Sequence, residues 1–343
     1  MRYTRLGGSG LVVSRLGFGA MTFGSGSGPM GSVWKTPQDT ADALVGRALD
    51  AGVTFFDTAD AYAGGQSEEI LGKALRGKRD DVVVSTKIGF RTGEALLAAG
   101  SSYRHVIDAV TASLRRLGTD WIDLLSLHVP DPFTPLDETL RALDDVVRRG
   151  WVRYVGYSNF PAWSAATMVE RQRAAGYAPM VAAQMYWSLA GRDVEVEHLP
   201  FARAAGVGIV VWSPLASGFL TGRYTRENPT GGGGRIADFD FIPMDKDRAY
   251  ALVDRLAAMA RAKGCTVAQL ALAWLLAKRD AAVILIGASR LEQLDENLGA
   301  LDVTLDGDEL AELDRLTTPY VPYPSWFLAK IPGDDAIARA LGA

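Results

Sequence analysis

Short apolar runs alternate along this chain with longer segments in which apolar residues return every three or four positions. The runs have strand length and the segments have helical period, so the pattern predicts a parallel sheet joined by helical crossovers. Eight strands are expected: Arg15 to Gly19, Thr54 to Asp57, Val82 to Lys87, Ile122 to His128, Val152 to Ser158, Ala182 to Tyr186, Gly208 to Ser213 and Ala282 to Gly287. Thr36-Pro37-Gln38-Asp39 predicts a capped helix start with proline in the first helical position, then an apolar face of Leu44, Val45, Ala48 and Leu49, and a stop at Gly52. Ser102 to Leu117 repeats the design, with Val106, Val110, Leu114 and Leu117 on one face and Gly118 behind them. The pairs persist without a domain-sized break. A single α/β domain over residues 1–343, a closed (β/α)8 TIM barrel, therefore fits better than two Rossmann-like halves. Residues 1–13, with Gly7-Gly8-Ser9-Gly10 between Tyr3 to Leu6 and Leu11 to Val13, predict a β-hairpin placed to plug the barrel bottom. Residues 318–343, carrying Tyr320, Tyr323, Trp326 and Phe327, predict an irregular aromatic tail, a candidate lid over the mouth.

Charge and cysteine content narrow the function. The 36 basic and 40 acidic residues are interspersed and give a net charge of −4, which points away from a nucleic-acid or anionic-membrane partner and toward a small molecule. Cys265 is the only cysteine, so no intramolecular disulfide forms and a reducing, cytoplasmic setting is expected. The N-terminus has no apolar stretch of the secretory kind. Ala204 to Gly222 is uncharged, but Pro214 and four glycines make it a buried strand running into a loop rather than a membrane span.

In a barrel of this kind the chemistry belongs at the C-terminal ends of the strands. Asp57, Lys87 and His128 each stand at such an end, and Tyr62 follows Asp57 by five residues. Together they make a proton-donating cluster suited to carbonyl chemistry. Tyr62 is the acid, and Lys87 stabilises the tyrosinate left behind. Asp57 keeps the lysine charged, and His128 hydrogen-bonds the substrate oxygen. The three histidines, His105, His128 and His198, lie at no metal-ligand spacing, so no metal is expected.

Leu16-Gly17-Phe18-Gly19, Phe56-Asp57-Thr58-Ala59 with Tyr62, Ser67-Glu68-Glu69 with Leu71-Gly72, Ser85-Thr86-Lys87 and Leu127-His128 resemble, in that order, the motifs of the aldo-keto reductase superfamily. Gly156-Tyr157-Ser158-Asn159-Phe160, Gln184 with Tyr186, Ser213-Pro214-Leu215 and Gly287-Ala288-Ser289-Arg290 continue the series, so the resemblance runs from about Tyr3 to about Thr317. It implies a barrel that binds NADP(H) extended, without a Rossmann motif, with Asp57, Tyr62, Lys87 and His128 as the catalytic tetrad. It implies Gly19 and Met21 beside the cofactor, Ser158, Asn159 and Gln184 at the nicotinamide carboxamide, and Trp212 stacked on the ring where relatives often carry tyrosine. Ser213, Leu215, Ser217, Gly218 and Leu220 fall on the pyrophosphate loop; Gly287, Ser289, Arg290, Gln293 and Asn297 fall on the adenosine end. A guanidinium pairs with phosphate in two places, which makes Arg290 the expected partner of a 2′-phosphate and favours NADPH over NADH. The branch most similar is that of bacterial and fungal aryl-alcohol dehydrogenase-like oxidoreductases.

Other patterns are weaker. Gly26-Ser27-Gly28-Pro29-Met30-Gly31 spells a dinucleotide fingerprint, but no helix opens directly behind it; the glycine run 231–234 lacks the Lys-Ser or Lys-Thr of a P-loop. Substrate contacts are expected from the mouth loops, with Trp34, Phe90, Trp187, Phe241 and Trp326 as aromatic candidates for a pocket suited to apolar aldehydes or ketones. The same fold serves as a cofactor-binding regulatory subunit of potassium channels, so a slow-turnover regulatory or redox-sensing subunit is the alternative. A barrel aldolase using Lys87 as a Schiff-base nucleophile is a second.

Overall fold

Each of the eight apolar runs forms a strand, within two residues of its expected bounds. The computed structural model describes residues 1–26, 31, 33–232, 236 and 240–331. After a hairpin of β1 (Tyr3–Arg5) and β2 (Val12–Ser14) come the barrel strands β3 (Leu16–Gly19), β4 (Phe55–Asp57), β5 (Val83–Ile88), β6 (Ile122–Leu127), β7 (Val152–Ser158), β8 (Met180–Tyr186), β9 (Gly208–Trp212) and β10 (Ala281–Ile286). They pair in parallel and in chain order, and β10 returns to β3 to close the ring. A (β/α)8 barrel is therefore the fold.

Strand parity divides the apolar side chains between two cores, because successive residues of a strand face opposite ways. Phe55, Val83, Leu124, Val210 and Val283 fill the barrel, whereas Phe56, Val84, Leu125, Val211 and Ile284 join the larger cluster under the helices. Each fully buried side chain of this size is worth about 1.5–3 kcal/mol in area removed from water.

The helical shell is α1 (Gln38–Asp50), α2 (Gln66–Ala74), α3 (Tyr103–Leu117), α4 (Leu136–Arg148), α5 (Ala162–Ala175), α6 (His198–Ala205), α7 (Lys246–Lys263), α8 (Val267–Ala277) and α9 (Leu291–Leu298). Beyond it lie α10 (Gly307–Leu316) and the short α11 (Ser325–Leu328). The capping expected for α3 is present: Ser102 Oγ accepts from the His105 N–H, and Gly118 closes the helix in the left-handed conformation. The start of α1 differs from expectation. Thr36 bridges to Phe23 as an extended residue, Pro37 occupies the N-cap, and the helix begins at Gln38. The backbone of Thr36 is committed to that pairing, so its hydroxyl does not cap.

The hairpin closes the bottom of the barrel. Leu6 and Val13 belong to the inner core, and Gly8 donates its N–H to Gly206 O across 2.7 Å. Gly7, at φ +59°, has no room for a Cβ, which would fall 2.5 Å from Gly206 O. Gly72 does the same for the shell: a Cβ there would lie 2.2 Å from Leu117 O, so its absence lets α2 and α3 touch. In the tail, Tyr323, Trp326 and Phe327 pack on one another and stay exposed. Ser27 to Met30 of the glycine-rich motif, Gly233 and Gly234 of the second run, and the tail after Ile331 lie outside the described residues. No described helix is long and apolar enough to cross a membrane.

Candidate active site

Parity also decides which polar residues meet at the mouth. Asp57 lies two residues beyond inward-facing Phe55, Lys87 four beyond Val83, and His128 four beyond Leu124. All three side chains are directed to the same opening, and all are buried, Lys87 completely. Lys87 Nζ donates to Asp57 Oδ2 across 2.6 Å and to Thr58 O across 2.7 Å, and it lies 5.1 Å from the centroid of the Tyr62 ring. Asp57 Oδ1 accepts from Ser85 Oγ and Gln184 Nε2, both at 2.9 Å.

Burial drives the Lys87 pKa down, but the Asp57 charge and the Tyr62 and Asp57 hydrogen bonds together outweigh it, so the lysine is held above its ordinary value and stays charged. His128 is the opposite case. Burial, with the Lys87 charge adding to it, depresses its pKa to about 2, so the imidazole is neutral. Its Nδ1 is buried without a hydrogen-bond partner. The Tyr62 ring stands edge-on to it at 5.8 Å, and the Phe90 ring lies 4.3 Å away.

A second row of polar groups continues from His128 toward β9. Asn159 Nδ2 donates to His128 O (3.1 Å) and Ser158 Oγ (2.9 Å), Ser158 Oγ donates to Gln184 O (2.8 Å), and Asn159 Oδ1 accepts from Trp212 Nε1 (3.0 Å). These bonds fix the half-buried Trp212 indole, which also leans on Tyr186 at 5.2 Å. After β9, Ser213 (φ 51°), Ala216 (φ 48°) and Ser217 (φ 57°) are left-handed, and the Ser217 N–H bonds back to Ser213 Oγ at 2.9 Å. At the end of β10, Ser289 N–H meets Gln293 Oε1 (3.1 Å) and Asn297 Nδ2 meets Gly287 O (3.3 Å), which ties the turn to α9. Arg290 caps that helix, is exposed, and has no ion pair among the described residues. Thr22 Oγ1 bonds to Ala288 O and holds the turn containing Met21, which follows Gly19, against this end.

A nicotinamide dinucleotide fits this surface in its chemistry. An indole face lies beside polar amides, a tight loop of small residues follows it, and an unpaired guanidinium stands at a helix start, where the peptide dipoles favour an anion. Five non-glycine residues hold positive φ among the described residues, Ala63, Asn159, Ser213, Ala216 and Ser217. All lie in loops that leave the C-terminal ends of β4, β7 and β9. Each such conformation costs about 1–3 kcal/mol, which concentrates strain at this mouth.

The aromatic candidates separate. Phe90 is 42% exposed and packs on His128, so it lines the opening. Trp187 does not. It is 1% exposed, donates to Glu195 at 2.8 Å and packs edge-on against Trp274 under the helices, because it has the outward parity opposite to Gln184 and Tyr186. Trp34 is half-buried in the loop before α1, Phe241 is exposed, and Trp326 belongs to the tail cluster. Three contributions were missed in the sequence. Ser85 shares the inward parity of Lys87 and could have been read from it. The Thr58 carbonyl left no sequence signal, and neither did Asp60, whose carboxyl is buried with no hydrogen-bond partner. Among the described residues, no group of three or more His, Cys, Asp or Glu is placed to hold a metal ion.

Comparison with known proteins agrees with this geometry. The chain is 38% identical over 314 residues to a probable voltage-gated potassium channel subunit beta of Arabidopsis thaliana, covering 88% of this chain and 92% of that one. A protein of the same description from Oryza sativa subsp. japonica is 37% identical over the same shares. Versiconal hemiacetal acetate reductase of Aspergillus parasiticus is 35% identical over 94% of this chain and 98% of its own. The model of the Aldo/keto reductase family matches residues 15–318, and the chain belongs to that family of oxidoreductases.

Proposed function

We propose that this protein reduces aldehydes or ketones to alcohols with NADPH, and that Tyr62 is the general acid. The observation that carries the reading is the buried Asp57–Lys87 pair, with the Tyr62 ring 5.1 Å from the Lys87 ammonium, beside a neutral His128. NADPH, when bound, supplies the hydride to the carbonyl carbon. The protein's own part is to place the carbonyl oxygen between Tyr62 and His128. A neutral imidazole hydrogen-bonds that oxygen without competing for the proton, and Tyr62 Oη gives its proton to the oxygen as negative charge develops there. The tyrosinate left behind faces the Lys87 ammonium, whose charge Asp57 secures, and recovers its proton from solvent. Trp212 would meet the nicotinamide ring. Ser158, Asn159 and Gln184 would exchange present bonds for bonds to its carboxamide. The 213–220 loop would take the pyrophosphate, and Arg290 the 2′-phosphate.

A carbonyl compound with an apolar body suits the exposed Phe90 ring, and the relative named as a reductase supports turnover. A cytoplasmic setting belongs to the same reading. A regulatory role is the second reading, favoured by the two relatives named as potassium channel subunits. The aldolase reading loses support, because an amine nucleophile needs a depressed pKa and that of Lys87 is raised. Tyr62→Phe is the test: carbonyl reduction should fall by roughly 100-fold or more while NADPH affinity stays nearly unchanged. Full activity in that variant would remove the acid assignment.

A further inference from the structure

The ladder between β4 and β5 does not stop where the strands formally end. Thr58 N–H bonds to Ser85 O at 2.9 Å, and Asp60 N–H bonds to Lys87 O at 3.0 Å. The backbone of Asp60 is thereby clamped to that of Lys87, two residues before Tyr62. Its side chain is 2% exposed, and neither carboxyl oxygen has a hydrogen-bond partner. The Ala61 N–H eases the carboxylate without forming a well-aligned bond.

The charged groups around it come from three elements. Glu68 on α2 is fully buried and bonded to Thr86 Oγ1 and Arg116 Nε, both at 2.6 Å; Arg116 comes from α3; Lys87 is the next-to-last residue of β5. An unpaired carboxyl beside a buried carboxylate is costly, and a chain free to choose would place an apolar residue or an amide here.

We propose that Asp60 is a positioning residue for the proton donor: its buried, unpartnered carboxyl, two residues before Tyr62 and on a backbone bonded to that of Lys87, sets by its charge how tightly Tyr62 keeps its proton. When the carboxyl is neutral, Lys87 acts on Tyr62 without opposition. When it loses its proton to solvent, a negative charge faces the same lysine, and formation of tyrosinate is disfavoured. Burial first, and then the Glu68 charge, lift its pKa to about 7, so both states occur near neutrality. Reduction, which consumes the Tyr62 proton, would then keep its acid protonated further into the alkaline range.

The part that concerns reduction rests on the function proposed above, so the decisive readout does not require turnover. Ultraviolet absorbance of tyrosinate is followed against pH in the unmodified protein and in Asp60→Asn, with Tyr62→Phe in each background to isolate the Tyr62 signal. Asp60→Asn, which removes the charge and keeps the shape, should let Tyr62 ionise about one pH unit lower, the order of one neighbouring buried charge. Asp60→Ser should do the same and serves if the amide is not accommodated. An unchanged Tyr62 titration in both variants would overturn the proposal, whatever the rate of reduction. A shifted titration in a protein that reduces no carbonyl would sustain it and remove the reductase reading instead. In an active enzyme, the alkaline limb of kcat/KM for reduction should move down with the titration.

Discussion

Asp57 and Lys87 form a buried ion pair at 2.6 Å, and a buried pair behaves differently when one member is removed than when both are. Asp57→Asn leaves a completely buried ammonium with only neutral acceptors, a loss of about 3–5 kcal/mol. Lys87→Met leaves a carboxylate that keeps the Ser85 and Gln184 donors at 2.9 Å, so its cost belongs at the lower end of that range. The double variant Asp57→Asn/Lys87→Met buries no charge. Its stability should lie within about 1–2 kcal/mol of the unmodified protein, which gives a coupling energy of about 3 kcal/mol or more. Function should not follow stability: the double variant still has no cation beside Tyr62, so carbonyl reduction should remain down by roughly 100-fold or more. Urea unfolding followed by tryptophan fluorescence gives the four stabilities, and NADPH consumption with an aryl aldehyde gives the four rates. Strict additivity of the two single losses would refute the ion-pair argument, and a double variant of normal activity would refute the role given to Lys87.

Three further outcomes follow from the same geometry. Asp60 is the clearest for pH. Its folded pKa of about 7 lies above its ordinary value of 3.8, so the folded state holds a proton that the unfolded chain has already lost, and stability falls as pH rises between these values. Asp60→Asn should therefore be more stable than the unmodified protein at pH 8, by up to about 4 kcal/mol, and not at pH 4; equal melting temperatures at pH 8 would contradict this. Arg290→Ala should weaken NADPH binding by roughly 10- to 100-fold and leave NADH unaffected, as tryptophan quenching can measure; equal losses for both would withdraw the 2′-phosphate assignment. His128, depressed to about 2, should contribute no limb to the pH-rate profile between pH 5 and 8, and a limb abolished by His128→Gln in that range would show that the ring is charged in the working enzyme.

The barrel was legible because parity and period are properties of the sequence itself. Phe55 and Asp57, Val83 and Lys87, Leu124 and His128 are each an even number of positions apart, and that arithmetic carries the polar residues to the face that the apolar ones fill below. The same arithmetic would have sent Trp187 outward, one position past Tyr186, where its indole is buried against Trp274. Thr36 misled because a cap and an extended bridge residue share one sequence signature, and the choice between them is made by Phe23, distant in the helix pattern. Asp60 could not be read at all. Its meaning depends on what does not bond to it, and on Arg116 and Lys87, which only the closed barrel brings near.

Elsewhere in this molecule local preference and global packing agree: strands are apolar where buried, α3 is capped by Ser102 and Gly118, and glycines stand where a Cβ would collide. Several disagreements gather at one end, although the buried Arg15 Nε, before the start of β3, is also unpartnered. Left-handed Asn159, Ser213 and Ser217, the unpartnered His128 Nδ1 and the unpartnered Asp60 carboxyl are each unfavourable for folding, and each lies at or beyond the C-terminal end of a barrel strand. Selection for stability alone would have removed them one by one, since each is a single substitution away from a more comfortable residue. Their joint presence at the mouth is what the proposed function would require: the strained Asn159, Ser213 and Ser217 and the unpartnered His128 Nδ1 would meet cofactor and substrate, whereas the buried Asp60 would act by its charge.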